Sequence, residues 1–157
     1  MKSNRRVAVA VMSGAVAVTT VFTAIALGNP GTTSSTTLAS RSRLSDSVQV
    51  NDDRIKFQTK DPTDFVTQQV TFTPGATSGW HHHPGVILVL VKSGRVTTHD
   101  ESCQTKTYSA GEAFVESGDT PFMVSNESAS ETAIDVATQV APAGSAFRIE
   151  DDPPSCS

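Results

Sequence analysis

The segment from Gly75 to Gly94, G-A-T-S-G-W-H-H-H-P-G-V-I-L-V-L-V-K-S-G, holds the residues best suited to chemistry. His81 and His83 are two residues apart. Side chains alternate across an extended strand, so both imidazoles share a face and can reach one ion or one ligand. His82, between them, points the other way and is expected to face solvent. A Pro84-Gly85 step follows, then the apolar run Val86 to Val91, which has the character of a core strand. Parity carried through that step puts Ile87 on the histidine face. Two neutral imidazoles alone bind a divalent metal weakly, because a catalytic zinc or iron normally has at least three protein ligands. Glu116, Asp119 and His99 are the candidates for a third.

These residues must be held by strands. Arg54 to Thr59, Phe65 to Thr73, Trp80 to His83, Val86 to Val91, Arg95 to His99, Thr105 to Tyr108, Ala113 to Glu116, Phe122 to Ser125 and Ala133 to Val140 are short runs rich in Val, Thr, Phe and Ile. Turn formers such as Thr73-Pro74-Gly75, Ser93-Gly94, Ala110-Gly111 and Ser117-Gly118 separate them. No window after residue 47 shows a helical apolar period. The pattern predicts an all-β domain, a sandwich or a jelly-roll barrel. Phe65, Val70, Phe72, Leu88, Leu90, Phe114, Val124, Ile134 and Val136 are the candidates for apolar packing, with Leu88 and Leu90, of opposite parity to Ile87, expected between the barrel and neighbouring strands. Asp135, in the last of these strands, reads as a polar residue of an outer face.

The spacing also resembles the first signature of the cupin superfamily: a glycine, five residues, His-x-His, three or four residues, Glu, six residues, Gly. Gly75, His81, His83 and Gly94 fall on it, and the glutamate position falls on Ile87. A second signature can be laid on Gly111 to Asn126. Its two ends match, but Ser117 and Asp119 stand for its proline and glycine, and Phe122 for its histidine. The resemblance implies a single jelly-roll, double-stranded β-helix barrel over residues 48–142, with Ile87 and Phe122 lining the pocket beside His81 and His83. Metal-binding members of the family have three histidines and a carboxylate there. Two of those four ligands are missing from the matching positions, which leaves a divalent metal open as a cofactor and argues against tight binding.

The chain has 157 residues. Val7 to Leu27 is uncharged and follows Lys2, Arg5 and Arg6, the pattern of a secretory signal peptide, with an uncleaved membrane anchor as the alternative. Either places the domain outside the cytoplasm. Residues 28–47 are rich in Gly, Ser and Thr and read as a flexible linker; residues 143–157 read as a C-terminal tail. From Asp46 onward seven basic residues stand against all 16 acidic ones, a net −9. Such a balance argues against nucleic acid as a partner, and leaves contact with a membrane only to the N-terminal segment.

The two cysteines, Cys103 and Cys156, are expected to pair in an oxidising compartment and tie the tail back; two free thiols are the alternative. By the chain-entropy account a loop of this length contributes about 4 kcal/mol. There is no G-x-S-x-G elbow, phosphate-binding glycine loop, H-E-x-x-H helix or dinucleotide fingerprint. Two functions follow. One is an extracytoplasmic domain that binds a small molecule in the barrel, with a weak or absent metal centre around His81 and His83. The other is a metal-dependent enzyme of dioxygenase or isomerase type that completes its site with a further ligand.

Overall fold

A computed structural model describes residues 31–155. Within them the chain forms strands β1 (Thr33–Leu44), β2 (Gln49–Asp52), β3 (Ile55–Gln58), β4 (Thr63–Phe72), β5 (His81–His82) and β6 (Val86–Ser93). They continue with β7 (Arg95–Asp100), β8 (Thr105–Ser109), β9 (Ala113–Ser117), β10 (Phe122–Ser125), β11 (Ala133–Pro142) and β12 (Ile149–Glu150). All nine strands read from the sequence are present. Two five-stranded antiparallel sheets, ordered β1-β4-β11-β6-β9 and β12-β5-β10-β7-β8, face each other as a jelly-roll barrel, and β2 and β3 make a separate hairpin. The architecture is all-β, as expected.

Alternation decides which face is core. Along β6, Ile87, Val89 and Val91 are buried while Val86, Leu88 and Leu90 are exposed. The neighbouring β11 follows suit, with Ala133, Asp135 and Ala137 buried. They pack with Phe72, Phe114, Val96 and Val124 from both sheets. Leu88 and Leu90 have the opposite parity to Ile87, as expected, but are exposed rather than packed between strands, and three other expected packing residues need correction: Phe65, Ile134 and Val136 have the outward parity. Asp135 is corrected the opposite way, since it faces the interior with 3% of its surface exposed. A period of two means that one misread position turns a whole strand over, and the apolar outer residues of β6 and β11 disguise the inner face.

The linker reading of residues 28–47 is also corrected from Thr33 onward. β1 is an edge strand that pairs with β4 from Thr33↔Phe72 to Leu44↔Thr63. Nearly all its side chains are exposed, so it shows no apolar alternation, and backbone pairing rather than core burial defines it. Arg43 Nε and Arg41 Nη1 reach the buried Asp64 carboxylate at 2.8 and 3.3 Å. The Arg43 hydrogen bonds and the Gly144 N–H hold that carboxyl down at about 2. The export segment and Cys156 lie outside the described residues. Cys103 sits in the β7–β8 turn at a φ of 65°.

The two signature remnants are tied together. Gly75, at a φ of 73°, donates its N–H to the Asn126 carbonyl at 3.0 Å. Asn126 is buried, and its Nδ2 donates to the carbonyls of Phe72 and Glu131 at 3.0 and 2.7 Å. This anchors the loop that leads into β5 and so positions the histidines.

Candidate metal centre

His81 opens β5, His83 follows its end, and Glu116 lies on β9 of the opposite sheet. All three are buried. One ligand atom from each lies within 4.8 Å of the others. The Glu116 Oε2 is 3.2 Å from His83 Nε2 and 3.8 Å from His81 Nε2. Ligand bonds of about 2.1 Å at tetrahedral or octahedral angles put neighbouring donor atoms roughly 3.0 to 3.4 Å apart, close to these separations.

The outer nitrogens fix which atoms face inward. His81 Nδ1 lies 2.9 Å from the Gly79 carbonyl, and His83 Nδ1 is hydrogen-bonded to the Phe147 carbonyl. A carbonyl only accepts, so each Nδ1 carries the hydrogen and each neutral ring keeps its Nε2 lone pair for the site. Burial lowers the His81 pKa, as do Arg148 and His83, against opposing effects of the Gly79 hydrogen bond and Glu116; the balance favours the neutral ring. Two Nε2 lone pairs and a carboxylate oxygen thus converge, and a divalent cation satisfies all three at once. The residues present fit such an ion.

Glu116 was one of three third-ligand candidates, and the structure selects it. Its backbone pairs directly with Ile87, the position where the family signature has its glutamate. The carboxylate has moved one strand sideways while facing the same interior point. Its signal was available in the parity of β9, where Phe114 and Glu116 alternate with exposed Ala113, Val115 and Ser117. His99 instead bonds Ser125 Oγ at 2.8 Å, and Asp119 is exposed in a turn. His82, expected in solvent, is half-buried, with Nδ1 2.8 Å from an Asp151 carboxylate oxygen.

Beside the three ligands lies a cavity of about 370 Å³, in the range of small-molecule sites, with Ile87, Val89 and Phe72 among its apolar walls. Gln68, Asp135, Gln139 and Arg148 are among its polar lining, with hydroxyls of Thr33, Ser34 and Ser35 from β1. Ile87 thus lies where the sequence put it. Phe122 pairs with His81 and lines a smaller cleft of about 130 Å³ that shares His83 and Glu116.

A double-stranded antiparallel barrel with two histidines and a carboxylate converging inside defines a class of proteins before any comparison is made. A family model described as a cupin domain matches residues 68–137, so this part of the chain is similar to the cupin domain. No curated protein matches the sequence. Among solved structures it is similar to a cupin-like protein from Thermotoga maritima, at 16% identity and a TM-score of 0.50, covering 57% of this chain and 65% of that one. A cupin superfamily protein from Desulfitobacterium hafniense gives 10% identity and a TM-score of 0.49, over 73% of this chain and 82% of that one. The DMSP lyase DddQ from Ruegeria pomeroyi gives 11% and 0.49, over 57% and 44%. The chain therefore spans less than two thirds of the first and third of these proteins.

Proposed function

We propose that this protein is an extracytoplasmic, metal-dependent cupin that takes a small molecule into its barrel beside a divalent ion held by His81, His83 and Glu116. The convergence of Glu116 on the two Nε2 atoms carries the reading. Three protein donors leave coordination positions open for water or substrate, the arrangement of catalytic rather than structural metal sites. When bound, the ion supplies Lewis acidity toward an oxygen of the substrate. The protein's own part is to orient both rings through Gly79 and Phe147, to keep His81 neutral, and to line the approach with apolar walls that limit water. Export rests on the apolar N-terminal segment.

The test is a titration of purified, chelator-treated protein with Zn²⁺ and Co²⁺. One equivalent is expected to bind, and His81→Ala, His83→Ala and Glu116→Gln should each weaken it by tenfold or more. Substoichiometric, weak binding that Glu116→Gln leaves unchanged would favour the other reading, a binding module without a working metal centre.

A further inference from the structure

The cavity beside the metal ligands contains two buried acceptor atoms that no described residue satisfies. Asp135 is 3% exposed, and its Oδ1 has no hydrogen-bond partner among the described residues. The Oε1 of Gln139 is likewise without one. Both residues line the same cavity as His81, His83 and Glu116. Buried polar atoms are nearly always paired, because an unpaired one costs on the order of 1–3 kcal/mol, so two in one pocket require an explanation.

Their arrangement supplies it. Asp135 and Gln139 project inward from the same strand, with the small Ala137 between them leaving room. Gln139 is turned by its Nε2, which donates to Gln68 Oε1 at 2.9 Å and leaves the amide oxygen free. The strand neighbours of Asp135 are Val91 on one side and Val70 on the other, so no donor comes from the sheet. Gln139 shares a row with Ile87 and Glu116, and Asp135 lies about 13 Å further along its strand at 3.3 Å per residue. The cavity therefore has a cation-binding end, beside which Gln139 lies, and a far end marked by Asp135. Near the first, Arg148 lines the cavity, donating Nη2 to the Ser78 carbonyl at 2.7 Å and pairing with the Glu150 carboxylate.

We propose that Asp135 forms a recognition subsite for a hydrogen-bond-donating group, a hydroxyl or an ammonium, on a small molecule whose opposite end is an anionic oxygen group bound at the metal, with the Gln139 amide oxygen as a further acceptor nearer the metal. The ligand class is a short hydroxy acid or amino acid. This rests on the metal reading for its anionic end and on the unpaired Asp135 acceptor for its donor end. Asp135 and Gln139 act by selecting and orienting the ligand.

The experiment compares matched probes: straight-chain ω-hydroxy acids and ω-amino acids of three to six carbons, each against the plain acid of equal length. Affinities are measured by calorimetry on Zn²⁺-loaded and on metal-free protein, for the wild type, Asp135→Leu, Asp135→Asn and Gln139→Leu. In the wild type at least one donor-bearing probe should bind about tenfold more tightly than its plain partner. Asp135→Leu should bring that ratio close to one while zinc still binds with one equivalent, and Gln139→Leu, nearer the metal, should leave the ratio in place. Asp135→Asn, which keeps the shape and one acceptor but not the charge, should retain the hydroxyl preference and lose the ammonium preference. Equal binding of every pair to the wild type, or a preference that survives Asp135→Leu, overturns the subsite. A donor preference in protein that binds no zinc overturns the metal reading and leaves the subsite standing.

Discussion

Glu116 shows how a site can keep its chemistry while losing its sequence signature. Ile87 occupies the signature's glutamate position, and its paired neighbour on β9 carries the carboxylate instead. Cross-strand partners lie about 5 Å apart on the same face, so a long side chain on either reaches one interior point. Glu116→Ala should therefore abolish stoichiometric zinc binding, and adding Ile87→Glu should restore it. Absence of rescue in a folded double variant, read by zinc titration and circular dichroism, would mean that the two positions do not address the same ion. Asp135 gives a second prediction. Burial, reinforced by Glu116, raises its pKa from 3.8 to about 7. Its protonated form stabilises the fold fully below pH 4, and that contribution is lost as pH rises to 7, a span of about 4 kcal/mol at most. His81, whose pKa is lowered, has the opposite sign: its contribution is present above its ordinary 6.5 and lost as pH falls. Comparing Asp135→Leu with the wild type isolates the first effect. Urea melts of metal-free protein at pH 4, 6 and 8 should show the variant gaining on the wild type as pH rises, and a constant difference would contradict this.

At the scale of elements, β1 lines the cavity with Thr33, Ser34 and Ser35 and also acts on a ligand through a turn. Arg41 donates Nη2 to the Ser145 carbonyl at 2.9 Å, and its guanidinium lies 4.1 Å from the centre of the Phe147 ring. The Phe147 carbonyl in turn accepts from His83 Nδ1. The edge strand thereby holds the turn that orients a metal ligand. Arg41→Ala should lower zinc affinity a few-fold without removing a ligand, since outer partners of metal-binding histidines tune affinity through ring orientation. Unchanged affinity, with the protein folded, would confine Arg41 to holding Asp64. The opposite edge of this sheet has another character. Leu88 and Val115 are paired neighbours, 46% and 58% exposed, on the outer face of β6 and β9. Their exposure explains why apolar content alone misled the reading of which residues form the core.

The molecule as a whole has a modest core of mostly small apolar residues, and a covalent tie at its end would strengthen it. Paired residues run across one sheet from Glu150 through His81 and Phe122 to Asp100. Cys103 lies three residues beyond Asp100, and Cys156 six beyond Glu150. Three strand spacings make about 14 Å, which six extended residues at about 3.3 Å each can cover. His82 already holds the tail through Asp151, and the Asp151 N–H donates to the Trp80 carbonyl at 3.1 Å. We therefore expect Cys103 and Cys156 to be joined, with the non-reduced protein about 2 Da lighter than the reduced form. Two alkylatable thiols in oxidised, purified protein would disprove the bond.

Periodicity by itself determined the all-β architecture, all nine strands first read from the chain, and the inward direction of His81, His83 and Ile87, because alternation and turn residues are local properties. It did not reveal β1, whose exposed Ser and Thr carry no burial pattern, nor that Asp135 faces inward, because apolar Ile134 and Val136 beside it suggested the opposite face. Only the tertiary structure decided that Glu116 completes the ligand set. Its place beside Ile87 depends on the register between β6 and β9, and its approach to the histidines depends on how the two sheets close. Register and closure belong to pairs of distant segments, and neither is written in the spacing of residues within one of them.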